Sequence, residues 1–175
     1  IIPGFYKPQN IINILTNNWY IVIIGLGVTF LLITGQFDMS VGGVIAMTGV
    51  LSVYFCQAAN VSQNPLANGL GLPYGVAIAL ALVCAMGIGG INAFFAAKLK
   101  VPSIIVTLAT MQLARGAAQV ITQGAQRNTS LPDAFGVLGN LGIPGTTIRL
   151  PLLIMLVLIA VAFIVEKKTV FARRI

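Results

Sequence analysis

Five stretches of this chain, each 16 to 24 residues long, run with few or no charged side chains. A helix rises 1.5 Å per residue, so about 20 apolar residues carry it across the hydrocarbon core of a bilayer. Runs of this length and number predict an all-α, polytopic transmembrane helical bundle of about five spans. The composition agrees, with 58% hydrophobic and only 7% charged residues, against about 25% charged in an ordinary soluble domain. The expected spans cover residues 19–34, 41–59, 74–97, 103–122 and 150–165, arranged as one transmembrane domain over residues 1–175. An amphipathic stretch, "NIINILTNNWY", precedes the first span, and its Trp19 and Tyr20 suit a membrane interface.

The net charge of +7 does not point to nucleic acid, because most of the basic residues sit at the ends of apolar segments rather than in a patch interleaved with aromatics. They report topology instead. Lys98, Lys100, Lys167, Lys168, Arg173 and Arg174 fall on one side of a five-span arrangement and Lys7, Arg127 and Arg149 on the other, which places the first group in the cytoplasm. Residues 35–40 then lie at or near the cytoplasmic side. With no histidine and only Cys56 and Cys84, both in apolar runs, the chain has no Cys/His metal set, and no disulfide is expected at membrane depth. It starts without Met and stops at "KKTVFARRI", and is read as an internal piece of a longer protein.

Small residues recur every four positions in the third span, at Ala77, Ala81, Ala85, Gly89, Ala93 and Ala97, and in the fourth at Thr110, Ala114, Ala118 and Thr122. On a helix such positions form a ridge, and close approach through small residues is how spans associate in lipid. Both ridges are expected to pack helices rather than line a pore.

The string "ITGQFDMSVGG" raises the functional question, since Asp38 is one of only three acidic residues. One reading is structural: Gly35 ends a helix, Asp38 or Ser40 accepts backbone N–H groups of the next, and Gly42 and Gly43 allow close packing. The other is that a broken segment over residues 35–40 lines a cavity, because non-helical backbone at membrane depth is tolerated only inside protein or against water. The two are compatible. Arg115, thirteen residues into the fourth span, is a second oddity. A charge at mid-membrane costs about 2.5 to 3.5 kcal/mol on insertion scales, so it must face the bundle or a wet cavity. It reads either as a clamp onto carbonyls or Asp38, or as part of a translocation route. Asn92, Thr107 and Gln112 read first as interhelical hydrogen-bonding residues. Without histidine, paired carboxylates or a nucleophile elbow, there is no catalytic set and no cofactor site. Transport is the better class.

"ITGQFDMSVGG" followed by "VIAMTGV" resembles the sugar-type permeases of bacterial ABC importers, the membrane subunits of ribose, xylose, galactoside and autoinducer-2 systems. The resemblance continues through "GGINAFFAAKLKVPSIIVTLATMQLARGAAQVITQG" and at "KTVFARRI", about half the chain in the family's order. Phe37 and Gly43 fill places where other residues are common, and Ala172 stands where glycine is usual. The resemblance implies a subunit of the bacterial inner membrane with about ten spans, of which these five look like the second to sixth. It implies four kinds of contact: a second permease subunit, identical or homologous, two cytoplasmic ATPases, an external substrate-binding protein and the lipid bilayer. The alternatives are an ion-coupled secondary transporter using Asp38 at the break, and a non-transporting scaffold. No phosphate-binding glycine loop is present in the sequence, so ATP chemistry would belong to partners.

Overall fold

The computed structural model describes residues 6–58, 68–124, 141–142 and 150–168. Among these residues there is no strand, and the helices are α1 (Pro8–Ile33), α2 (Val41–Cys56), α3 (Tyr74–Ala93), which continues into a π-helical turn (Phe94–Lys98), α4 (Ser103–Thr122) and α5 (Leu150–Lys168). The membrane expectation holds: four helices, all but α2, are long and apolar enough to cross a bilayer. Arg127, Arg149, Arg173 and Arg174 of the charge count lie outside the described residues, as does Ala59 at the expected end of the second span.

The contacts divide the chain into two compact units, Ile1–Gly35 with Gly136–Ile175, and Gln36–Phe135. In the first, α1 packs with α5, and Leu26, Gly27 and Phe30 share an apolar space of about 250 Å³ with Leu158, Val161 and Val165. α1 differs from the expected span, which started at residue 19. The helix begins at Pro8, a residue suited to the first turn because its missing N–H would be unpaired there anyway. No further proline or glycine interrupts residues 9–24, so the polar stretch and the apolar one form a single helix. α1 closes with the N–H of Thr34 on the carbonyl of Leu31 at 3.1 Å, and that of Gly35 on Leu32 at 3.0 Å. Gly35 has φ +73°, a left-handed conformation that glycine adopts without strain.

In the second unit α2 packs on both α3 and α4. α2 ends at Cys56, three residues before the expected limit, because the chain folds back onto its last carbonyls. The N–H groups of Leu70, Gly71 and Leu72 reach the carbonyls of Tyr54, Gln57 and Phe55 at 3.1, 2.9 and 2.9 Å. Such groups otherwise go unpaired at a helix end. Gly69 permits the approach, since a Cβ there would overlap the Gln57 carbonyl.

The small-residue ridge of α3 is only half right. Ala77 and Ala81 are completely buried and Ala85 half-buried, but Gly89, Ala93 and Ala97 are exposed, and the contact stripe continues through Ile88, Asn92 and Ala96. The reason is geometric. Four residues turn a helix by about 400°, so a strict four-residue ridge drifts about 40° per step and leaves the interface after three. The ridge of α4 survives, with Ala114 and Ala118 buried and Thr110 and Thr122 half-buried.

Candidate functional site

The functional question sits in the five residues between Gly35 and α2. The non-helical segment here has backbone N–H groups with no helical partner, and the protein supplies partners from α4. Phe37 N–H donates to Ser103 Oγ at 3.1 Å, and Met39 N–H donates to Thr107 Oγ1 at 3.0 Å. The N–H groups of residues 37 and 39 both turn toward α4, where 103 and 107 share one face of the helix. Thr107 in turn donates its hydroxyl to the Ser103 carbonyl at 2.8 Å, as β-hydroxyls on helices commonly do.

A second set of bonds runs through side chains and ends on the carboxylate. Thr110 Oγ1 donates to Asn92 Oδ1 at 2.6 Å, Asn92 Nδ2 donates to Ser40 Oγ at 3.0 Å, and Ser40 Oγ donates to Asp38 Oδ1 at 2.6 Å. The same carboxylate oxygen accepts the Ser40 N–H at 2.7 Å. Every donor in this series points toward Asp38, so the series needs an acceptor at its end, and a carboxylate oxygen is one. Exposure of 2% at Ser40, 6% at Asn92 and 4% at Thr107 places the network in the packed interior, where paired polar groups are strengthened and unpaired ones are costly.

The expected cap on the first turn of α2 is not formed. Asp38 closes a turn onto Ser40 rather than onto the first turn of α2, and Ser40 makes no side-chain cap bond. The glycines behave as expected. A Cβ on Gly43 would lie 2.5 Å from the Met111 carbonyl oxygen and 2.9 Å from Met111 Cα, so α2 and α4 touch backbone to backbone there. One on Gly42 would lie 3.4 Å from Arg115 Nη2.

These pairings fix directions. Residues 37, 39 and 43 meet 103, 107 and 111 in order, so α2 and α4 run parallel, and Asn92, six residues before Lys98, meets Ser40 at the same end. The break thus lies at the end of this unit that carries Lys98 and Lys100. α2 itself has 16 residues, about 24 Å, less than the roughly 30 Å of a hydrocarbon core.

Of the residues singled out from the sequence, Asp38, Ser40, Asn92 and Thr107 are joined in or beside this network, and Gly42 lies over α4. Gln112 and Arg115 are not joined. Both are exposed, and among the described residues neither makes a hydrogen bond or ion pair, so Arg115 is not paired with Asp38. Ser103 and the N–H groups of Phe37 and Met39 were missed. The signal available was the hydroxyl spacing 103, 107, 110, which places three hydroxyls on one face of α4.

The sequence matches the family described as "Branched-chain amino acid transport system / permease component" over residues 10–175. Among curated proteins, the ribose import permease protein of Haemophilus influenzae is 35% identical over 99% of this chain and 50% of its own length. The galactose/methyl galactoside import permease protein of Escherichia coli is 30% identical over 99% of this chain and 53% of its own. An inner membrane ABC transporter permease protein of Escherichia coli is 35% identical over 69% of this chain and 33% of its own. The chain thus spans about half the length of the two sugar import permeases. No solved structure matches it significantly. With the family match running through all five helices and the polar break between α1 and α2, the chain belongs to the branched-chain amino acid transport system / permease component family, as a multi-pass membrane protein whose relatives are sugar import permeases.

Proposed function

We propose that this chain is part of the permease subunit of a bacterial ABC importer, forming the inner-membrane pathway for a monosaccharide or a similar small polar solute. The observation that carries the reading is the similarity to the ribose import permease along 99% of the chain. In this reading the chain acts with a second permease subunit, two cytoplasmic ATP-binding subunits and an extracytoplasmic substrate-binding protein, and it hydrolyses nothing itself. Asp38, Ser40, Asn92 and Thr107 hold the break in the first half of the pathway wall and do not meet the solute.

The engagement of Asp38 favours this reading over ion coupling. Its Oδ1 already accepts two short hydrogen bonds from Ser40 and terminates the series from Thr110. A carboxylate used for coupling must release its partners and bind an ion in each cycle, and breaking this network would leave several buried donors unpaired. The test uses the full-length permease with its partner subunits in proteoliposomes, and follows uptake of labelled ribose and galactose. Uptake that requires enclosed ATP and survives an uncoupler supports the reading. Uptake that needs no ATP and collapses with the ion gradient would overturn it.

A further inference from the structure

α4 is polar on two sides. Its hydroxyl face, Ser103, Thr107 and Thr110, is spent on the break. At 100° per residue, Gln112 and Gln119 fall within about 20° of each other on a second face, some 130° around from Thr107, Arg115 flanks them by about 50°, and Gln123 follows as the left-handed residue that ends the helix. All four are exposed. Among the described residues none of their side chains makes a hydrogen bond or ion pair. The stripe spans twelve residues, about 16 Å, and occupies the half of α4 away from Lys98 and Lys100, the outer half by the charge bias. Toward the cytoplasmic end the same face turns apolar, with Ile105 61% and Leu108 39% exposed. The other side of the outer half is apolar too, with Leu113 73% and Val120 64% exposed.

Three carboxamides and a guanidinium do not rest against hydrocarbon, where a single arginine costs about 2.5 to 3.5 kcal/mol and each unpaired amide adds to it. The face therefore meets water or other protein. Its chemistry selects a solute. Carboxamides donate and accept, which matches hydroxyl groups, the stripe has no carboxylate to attract a cation, and a fixed positive charge repels one. We propose that the face of α4 carrying Gln112, Arg115, Gln119 and Gln123 walls an aqueous route open from the outer side and suited to neutral hydroxylated solutes, with Arg115 as its barrier to cations. The inference rests on the permease reading above but is tested without any sugar.

The experiment uses the full-length permease in its complete transporter, with every native cysteine, Cys56 and Cys84 among them, replaced by alanine, and single cysteines at Gln112→Cys, Gln119→Cys, Leu113→Cys and Val120→Cys. Reaction with membrane-impermeant thiosulfonates added outside should be at least tenfold faster at the first two positions than at the last two. Equal rates at all four would overturn the route, because the stripe would then be covered by protein. The Arg115 barrier is read from paired reagents, one anionic and one cationic. A unit charge about 6 Å away in water discriminates between them about tenfold, so Arg115→Gln should lower the anionic-to-cationic rate ratio at Gln112→Cys by about that factor while Arg115→Lys preserves it. An unchanged ratio in Arg115→Gln removes the barrier role. Labelling as expected in a transporter that moves neither ribose nor galactose would reject those two sugars as its solutes and leave the aqueous face standing.

Discussion

Gly43→Ala places a methyl group where the structure has no room. The added carbon would sit 2.5 Å from the Met111 carbonyl oxygen and 2.9 Å from Met111 Cα. Both partners are backbone, so neither can rotate away, and relief requires α2 and α4 to separate by close to 1 Å. Overpacking of this kind costs about 1 to 3 kcal/mol. The separation also stretches the Met39–Thr107 bond, now 3.0 Å. Against this, alanine raises helix propensity by about 1 kcal/mol over glycine, which would blur a single measurement. Gly49→Ala removes the ambiguity. It lies on the same helix, has nothing within 4 Å of a new Cβ, and gains the same propensity. The difference between the two variants isolates the overlap and should be about 1 to 3 kcal/mol, roughly 5- to 150-fold in the folded-to-unfolded ratio. Thermal denaturation of the purified full-length permease, followed by loss of the monodisperse chromatographic peak, reads it. Indistinguishable midpoints for Gly43→Ala and Gly49→Ala would refute the backbone contact between α2 and α4.

Other expectations follow from the same geometry. Asp38→Asn keeps an oxygen that can accept from Ser40 and should retain most thermal stability, whereas Asp38→Leu strands the Ser40 N–H and hydroxyl and should lose about 1 to 3 kcal/mol; equal midpoints would show that the acceptor is dispensable. Thr107→Val preserves shape but deprives Met39 N–H of its acceptor, and should destabilise by about 1 to 3 kcal/mol in the same assay, while Thr107→Ser should cost less. For topology, Asn68→Cys should react with an impermeant thiol reagent in intact cells and Lys98→Cys only after permeabilisation, since the Lys/Arg bias puts Lys98 inside; the reverse pattern would invert the arrangement.

What the sequence made legible was punctuation. Gly35 marked the end of α1, and Pro102 marked the start of α4, whose bounds Ser103–Thr122 agree with the expected 103–122. Both signals are local, carried by residues with unusual φ or a missing N–H. The start of α1 was not legible because polarity changes near Trp19 without any breaker, and a helix does not stop where its solvent changes. The end of α2 depends on N–H groups 14 to 17 residues later in the chain, a pairing that no local signal carries. Asp38 was conspicuous by its chemistry alone, but its partners were not. The Asn92–Ser40 bond joins residues 52 apart, and the Met39–Thr107 bond joins residues 68 apart. Sequence could nominate the hydroxyls on α4 but not say which backbone group each would meet.

The distance in sequence between the break and its partners also imposes an order of assembly. Phe37 and Met39 leave the ribosome 66 and 68 residues before Ser103 and Thr107, the groups that accept their N–H bonds. Until α4 arrives, α2 is a 16-residue helix preceded by unpaired backbone, too short to bridge the hydrocarbon alone and penalised by several kcal/mol for each bare N–H at depth. α2 is therefore expected to hold its place across the bilayer weakly until the hydroxyls of α4 reach the break. Chains truncated after Lys100 should accordingly place α2 across the bilayer in a smaller fraction of molecules than chains that carry α4.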